Sequence, residues 1–395
     1  MADPGLRHVT PDGPGIRRVR SGKGFRFVAP DGAHIHDPQE LARIHAIAIP
    51  PAWTDVWICP DARGHIQAVG RDARGRRQYR YHAAFRARRD RDKFARLLRF
   101  GERLPRIRRR VRQDLALPGL PRVKVLATVV ALLEATRLRV GNDEYARDNG
   151  SFGLSTLRDR HARVGGGRLH LRFRGKGGRV EERTVADRRL AEIVRRCQEL
   201  PGQELFQYWD PDEGDAEPHP VASEDVNAYL REAAGSDEFS AKDVRTWTAT
   251  VLAYEALRNL SADGGEAAGR RLDLAVIDRT AEAINDTPTV TRSAYIHPAV
   301  LSLAGRSVSA VSGRRNHAST ARPRRSRTIG HGAPDRAAEL EVLALLRRHR
   351  GAPEQGRDGR QPRSWSGRSD SNRRPHAPKA CALPGCATPR RAWQS

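Results

Sequence analysis

Cysteine is scarce in this chain of 395 residues: Cys59, Cys197, Cys381 and Cys386 are scattered, with no C-x-x-C pair and no zinc-ligand spacing. This pattern argues against a disulfide framework or a structural metal and points to a reducing compartment. No run of about 18 apolar residues occurs, so no membrane-spanning helix is expected. The opening residues MADPGLRHVTPDGPG lack the apolar stretch of a secretory signal, and a cytoplasmic, soluble protein is the expectation. A Walker loop, an H-E-x-x-H pair and the carboxylate cluster of a metal-dependent nuclease are also missing, so no cofactor and no metal are expected.

Lysine is short as well. Only six of the 72 basic residues are lysines, so arginine is the default cation. A lysine at a motif position then marks chemistry that an arginine, with a pKa above about 12, does not perform. Acidic residues number 47, which leaves a formal net charge of +25 and an isoelectric point near 11.1. That excess favours a polyanionic partner, nucleic acid or an acidic membrane surface. Residues 306–395 alone hold twenty Lys+Arg against six Asp+Glu. More than half of the excess lies there, so net charge by itself does not assign nucleic-acid binding to the folded part.

The segments GFRFVAPDG, DVWICPDARG and HIQAVGRDARG alternate between turn signals and predict antiparallel hairpins. From KFARLLRFGERLPRIRRRVRQDL onward the apolar period becomes helical, and RVKVLATVVALLEATRLRVGNDEYARDNG continues it. RLHLRFRGKGGRVEERTV alternates around a Gly-rich turn and predicts a hairpin set among helices. Helical pattern returns in ADRRLAEIVRRCQEL, in SEDVNAYLREAAG with Ser223 as N-cap, and in AKDVRTWTATVLAYEALRNL. The class expected is α+β: a small N-terminal antiparallel β-sheet domain over 1–115, and a larger, mainly α-helical catalytic domain over 116–305. A basic low-complexity tail over 306–395 is expected to be disordered, apart from an amphipathic helix in APDRAAELEVLALLRRHR.

Five positions supply the ingredients of phosphoryl transfer from DNA to protein: Arg139 in RLRVGNDEY, Lys176 in FRGKGG, Lys242 and Arg245 in AKDVRTW, and Tyr295 in SAYIHP. Attack on a phosphodiester builds negative charge on the non-bridging oxygens, which guanidinium forks answer with bidentate hydrogen bonds. A tyrosine conserves the energy of the broken bond in a covalent phosphodiester, so resealing needs no ATP. The departing 5′ oxygen needs a proton, and a lysine depressed by neighbouring arginines supplies one. Taken singly, each residue also fits a surface cation, a solvated hairpin tip or a packing aromatic.

The ordered set decides between these readings. IPPAWTDVWICPDARGHIQAVGRDARGRRQYRYH, RVGNDEYARDNGSFGLSTLRDRH, FRGKGG, LPGQELFQY, EDVNAYL, AKDVRTWTAT and NDTPTVTRSAYIHPAV resemble, in order and spacing, the small bacterial and poxvirus type IB DNA topoisomerases. The resemblance runs from about residue 15 to residue 303. It implies a catalytic domain of the tyrosine recombinase and type IB topoisomerase kind, duplex DNA as partner, a monomer, and nucleoid association. It also implies that Tyr295 is the nucleophile of a 3′-phosphotyrosyl link, that Arg139 and Arg245 clamp the scissile phosphate, and that Lys176, assisted by Lys242, protonates the 5′ oxygen. Gln78, Tyr79 and Tyr81 match the family's DNA-contacting Gln-Tyr-x-Tyr segment, with cross-strand packing as the other reading of the tyrosines.

One position departs from the pattern. Where the family places a histidine or asparagine before Thr-Pro, this chain has Asp286, preceded by Asn285. An ionised carboxylate repels a phosphate, so Asp286 is expected to be protonated, turned away, or replaced in role by Asn285. The competing readings are a tyrosine site-specific recombinase, against which Lys242 stands where an H-x-x-R box has histidine, and a catalytically impaired DNA-binding protein.

Overall fold

The computed structural model describes residues 5–209, 218–262, 269–304 and 335–350. Five antiparallel strands, β1 (Ile16–Ser21), β2 (Gly24–Val28), β3 (Thr54–Ile58), β4 (Ile66–Arg71) and β5 (Arg77–Tyr81), form one sheet in the order β2-β1-β3-β4-β5. Helix α1 (Pro38–Ala46) enters between β2 and β3, capped by Asp37, whose carboxylate accepts from the Gln39 and Glu40 amides. Ile44 of α1 closes a small core with Ile16, Phe27, Val56, Ile58 and Ala68. The β4–β5 turn is built by Asp72, which accepts from the amides of Arg74 and Arg76, and by Gly75 at φ 76°, where a side chain is strained. Edge strand β5 carries Gln78, Tyr79 and Tyr81.

Helix α2 (Ala83–Leu115) follows at once, its first turn capped by the His82 ring, which accepts from the Ala84 amide at 3.1 Å. Its 33 residues extend about 50 Å. Phe85 packs on Tyr81 beside the sheet, whereas Leu97, Phe100, Leu104, Ile107, Val111 and Leu115 are buried in the helical core. Composition assigned this stretch to the N-terminal unit; packing gives its second half to the helical one. The apolar stripe satisfies itself wherever partners stand, and here they are α3 (Arg122–Thr136) and later helices.

The helical part continues through α4 (Asp143–Asn149), then a three-stranded antiparallel sheet of β6 (Ala162–Gly165), β7 (Arg168–Arg174) and β8 (Val180–Val185), then α5 (Arg188–Cys197). The expected hairpin is β7–β8, and β6 adds an edge the sequence did not announce. A short ribbon, β9 (Gln207–Tyr208) with β10 (His219–Pro220), precedes α6 (Ser223–Ala234), α7 (Ala241–Ala262), α8 (Gly269–Ala283), α9 (Pro288–Ala294) and α10 (Pro298–Ala304). Ser223 is the first helical residue rather than the cap; the Ala222 amide is satisfied by the Asp225 carboxylate at 2.9 Å.

Within the basic tail, the amphipathic helix expected in APDRAAELEVLALLRRHR is α11 (Arg336–Arg350), a packed helix. Ala338, Val342 and Leu346 are buried against α2 and α7. Arg108 joins Glu134 of α3 to Glu339 of α11, and Arg347–Glu102 and Arg258–Glu341 pairs lie at the rim. The rest of the expected tail, 306–334 and 351–395, lies outside the described residues.

Candidate active site

Arg139 is positioned by the way α3 ends. Arg137 turns left-handed at φ 61° after Thr136, and Leu138 is then buried. A non-glycine residue in that conformation costs on the order of 1 kcal/mol, and persists here because its carbonyl is used: it accepts from Nη1 of Arg245. The chain beyond Arg139 lies directly on the next turn. A Cβ on Gly153 would stand 2.5 Å from the Gly141 backbone, so glycine is required at 153 for this approach, and the Leu154 amide donates to the Arg139 carbonyl at 2.9 Å.

Arg245 projects inward from α7 and is 4% exposed. Besides the Arg137 carbonyl, its Nη2 donates to the carbonyl of Ile284 at 2.6 Å. The start of α7 is fixed by Asp243, which accepts from the amide of Ser240 and from Nε of Arg96 on α2, each at 2.9 Å. Burial lowers the Arg245 pKa, the Arg139 charge adds to the effect, and Tyr295 and Asp286 oppose it. Arginine stays charged throughout, so the site presents two cations side by side.

The residue between those cations is Asp286. After α8, Asn285 turns left-handed at φ 49°, and the Asp286 carboxylate accepts from Nη2 of Arg139 at 2.6 Å and lies 3.6 Å from Nη2 of Arg245. Its other oxygen accepts from the Thr287 amide at 2.9 Å. Asp286 therefore faces both guanidiniums rather than turning away from them. Nor does Asn285 take its place, since its amide nitrogen donates to the Val180 carbonyl at the turn end of the β7–β8 hairpin, at 3.2 Å. Glu181, the next residue of β8, lies 3.8 Å from Arg139 and 3.2 Å from Arg183.

Tyr295 ends α9, a helix begun by the Thr287 cap and Pro288. Its amide donates to the Thr291 carbonyl at 3.1 Å, and its carbonyl accepts from the Thr250 hydroxyl at 3.0 Å. The ring packs on a patch of Ala249, Leu252 and Ile284, and the Arg245 guanidinium carbon lies 5.1 Å from its centroid. Four of the positions chosen from sequence, Arg139, Arg245, Asp286 and Tyr295, thus lie together, the two guanidiniums on the Asp286 carboxylate and one of them near the Tyr295 ring.

The other positions lie outside that cluster. Lys176 stands exposed at the tip of the β7–β8 hairpin, where Gly177 and Gly178 adopt φ 76° and 79°. It has no hydrogen bond or ion pair among the described residues. Lys242 is exposed on the first turn of α7. Gln78 donates to Asp72 at 3.0 Å, and the Tyr79 and Tyr81 rings stack at 6.1 Å on the sheet, with Arg77 over the first and Arg89 over the second. Lys93 of α2, not singled out from the sequence, reaches the Ser293 carbonyl, two residues before Tyr295, at 3.2 Å.

Family comparisons now bear on this geometry. A model for the bacterial DNA topoisomerase IB N-terminal domain matches residues 24–72, and one for the eukaryotic DNA topoisomerase I catalytic core matches residues 82–320. The chain belongs to the type IB DNA topoisomerases. A DNA topoisomerase 1B of Acanthamoeba polyphaga mimivirus is 34% identical over 244 residues, spanning 62% of this chain and 72% of that protein. As a type IB topoisomerase the protein is an isomerase that relaxes duplex DNA by transient cleavage of one strand and religation. The two family matches leave residues 73–81, which include β5, between them. Among the described residues no helix is long and apolar enough to cross a membrane, and no group of His, Cys, Asp and Glu is arranged to hold a metal ion.

The residue two after Tyr295 couples this topoisomerase's stability to pH. His297 is buried, its Nδ1 accepts from the Ala299 amide at 3.0 Å to cap α10, and burial, with His349 and Lys93 nearby, lowers its pKa to about 3. An unfolded histidine titrates near about 6.5, so below that pH the unfolded chain takes up the proton first and stability is lost as pH falls towards the folded value. Between pH 6.5 and pH 5 the expected loss from this residue is about 2 kcal/mol. His297→Asn keeps a cap acceptor without the titration. The gap in unfolding midpoint between the parent and His297→Asn should therefore shift in favour of the variant from pH 7 to pH 5; a constant gap contradicts the assignment.

Proposed function

We propose that Tyr295 is the nucleophile of this topoisomerase. Its phenol oxygen gives up its proton to solvent water and bonds to the scissile phosphorus, the bond from phosphorus to the 5′ oxygen breaks, and the 3′ phosphate stays on the enzyme while the free 5′ end rotates about the intact strand. Arg139 and Arg245 hold the non-bridging oxygens. Lys176, swung in on its Gly-flanked tip and assisted by Lys242, gives a proton to the departing 5′ oxygen and takes it back on religation. No metal and no ATP enter, and the enzyme works as a monomer on nucleoid DNA.

The sheet-containing N-terminal unit closes over the duplex opposite the helical one, which is of the tyrosine recombinase kind, with Gln78, Tyr79 and Tyr81 against the DNA. The observation that supports this reading is the carboxylate lodged between two guanidiniums, one of which lies 5.1 Å from the Tyr295 ring centroid. Two guanidiniums that hold one carboxylate can hold a phosphate oxygen in the same way. Incubation with end-labelled duplex followed by denaturation should leave protein on the 3′-phosphate side of the cut, and tryptic mapping should find the DNA on the peptide SAYIHPAVLSLAGR. Attachment to any other peptide defeats the assignment.

Asp286 then acts as a resident competitor. Phosphate must displace it from Arg139, and an unmoved carboxylate repels the incoming charge. Asp286→Asn keeps a hydrogen-bonding group of the same shape without the charge. Single-turnover cleavage should become about tenfold faster, equivalent to about 1.4 kcal/mol. A large loss of cleavage would instead show that the carboxylate itself takes part.

A further inference from the structure

Lys93 is the one lysine among the described residues that links the long helix α2 to the segment carrying Tyr295. Its side chain is 12% exposed despite its charge. Nζ donates to the Ser293 carbonyl at 3.2 Å and to Asp90 of its own helix at 3.3 Å, and it lies 4.1 Å from the centroid of the Phe94 ring. Phe94 in turn meets the buried His297 ring edge-on at 4.9 Å. The ammonium is thus seated on a wall that also backs the residues just after Tyr295.

Burying a lysine costs free energy unless its charge is used. In a chain where arginine is the default cation, the compact ammonium has been kept at a place where its charge acts on both Lys242 and Tyr295. Two of its three N–H donors have protein acceptors among the described residues.

We infer that Lys93 is a positioning residue of the cleavage reaction: from α2 it holds the Ser293–Tyr295 segment in place for attack, and its charge offsets the negative charge that gathers where the Tyr295 oxygen meets the phosphate. This rests on Tyr295 as nucleophile. The charged or titratable groups around that oxygen and its lysine are Arg245 and Lys242 of α7, Asp90 of α2, Asp286 and Arg139 across the anion point, His297 beside the tyrosine and His349 of α11. Burial lowers the Lys93 pKa, the Lys242 charge adds to that, and Asp90 and Tyr295 oppose it. His297, at about 3, stays neutral through the working range.

The experiment is single-turnover cleavage of a suicide duplex from about pH 6 to about pH 9 by the full chain and two variants. Lys93→Gln keeps an N–H donor for Ser293 and drops the charge. It should bind duplex as the parent does and cleave roughly 10- to 100-fold more slowly at neutral pH. The deficit should narrow as pH rises, because burial lowers the Lys93 pKa and the parent then sheds the charge that the variant lacks. Lys93→Arg should recover most of the rate at neutral pH. The inference is overturned by a Lys93→Gln rate close to the parent's, by a deficit equal at every pH, or by Lys93→Arg being as slow as Lys93→Gln. Should Lys93→Gln fail to fold, Lys93→Arg decides alone, since a slow, folded variant of the same charge contradicts the role. Failure of the tyrosine assignment looks different: the parent's own adduct then maps away from Tyr295.

Discussion

Tyr295→Phe is expected to bind duplex DNA with parental affinity, form no covalent adduct and show no detectable relaxation. The substitution removes one oxygen. The ring keeps its seat on Ala249, Leu252 and Ile284 and its face towards Arg245, so neither the unfolding midpoint nor the anion site should move. No neighbouring group replaces the lost bond to phosphorus, because the guanidiniums are not nucleophiles and water attack would release a free end rather than store it. A native gel for binding and a denaturing gel for the adduct separate the two effects. Relaxation that survives would require another tyrosine to act. Tyr229 is buried with its hydroxyl on Asp114 at 2.7 Å, and Tyr79 and Tyr81 lie on the edge strand of the N-terminal sheet.

Motif spacing made much of this site legible before any coordinates. RLRVG sits where α3 must stop, AKDVRTW opens a helix whose fourth and fifth residues face inward, and a Thr-Pro pair starts the short helix that delivers Tyr295. These are local rules of caps, turns and helical period, and they act within a few residues. What escaped depends on distant partners. Asp286 faces Arg139 because Asn285 turns left-handed and binds the turn end of the β7–β8 hairpin, a choice that no five-residue window contains. The apolar stripe of α11 was legible in the sequence, but not that α2 and α7 would cover it. Lys93 looked like one more cation in a basic helix, although the rarity of lysine was a usable signal.

Arg245→Ala should lower the single-turnover cleavage rate by roughly 10³-fold, the scale of losing a preorganised donor at a developing anion, and should also destabilise the fold by about 3 kcal/mol. The second effect has its own cause. Arg245 is 4% exposed, and without it the carbonyls of Arg137 and Ile284 lose donors inside the core. Denaturant unfolding measures that loss, and a midpoint shift with unchanged chemistry would reduce Arg245 to a structural strut. Arg245→Lys separates the roles, since an ammonium keeps the charge without a planar fork for two carbonyls and a phosphate. Its cleavage should remain about 10²-fold slow while much of the stability returns. In combination with Asp286→Asn the effects should not add, because Asp286 lies 3.6 Å from Arg245 and competes for the same guanidinium. The gain seen for Asp286→Asn alone should shrink once Arg245 is gone, leaving the part exerted through Arg139.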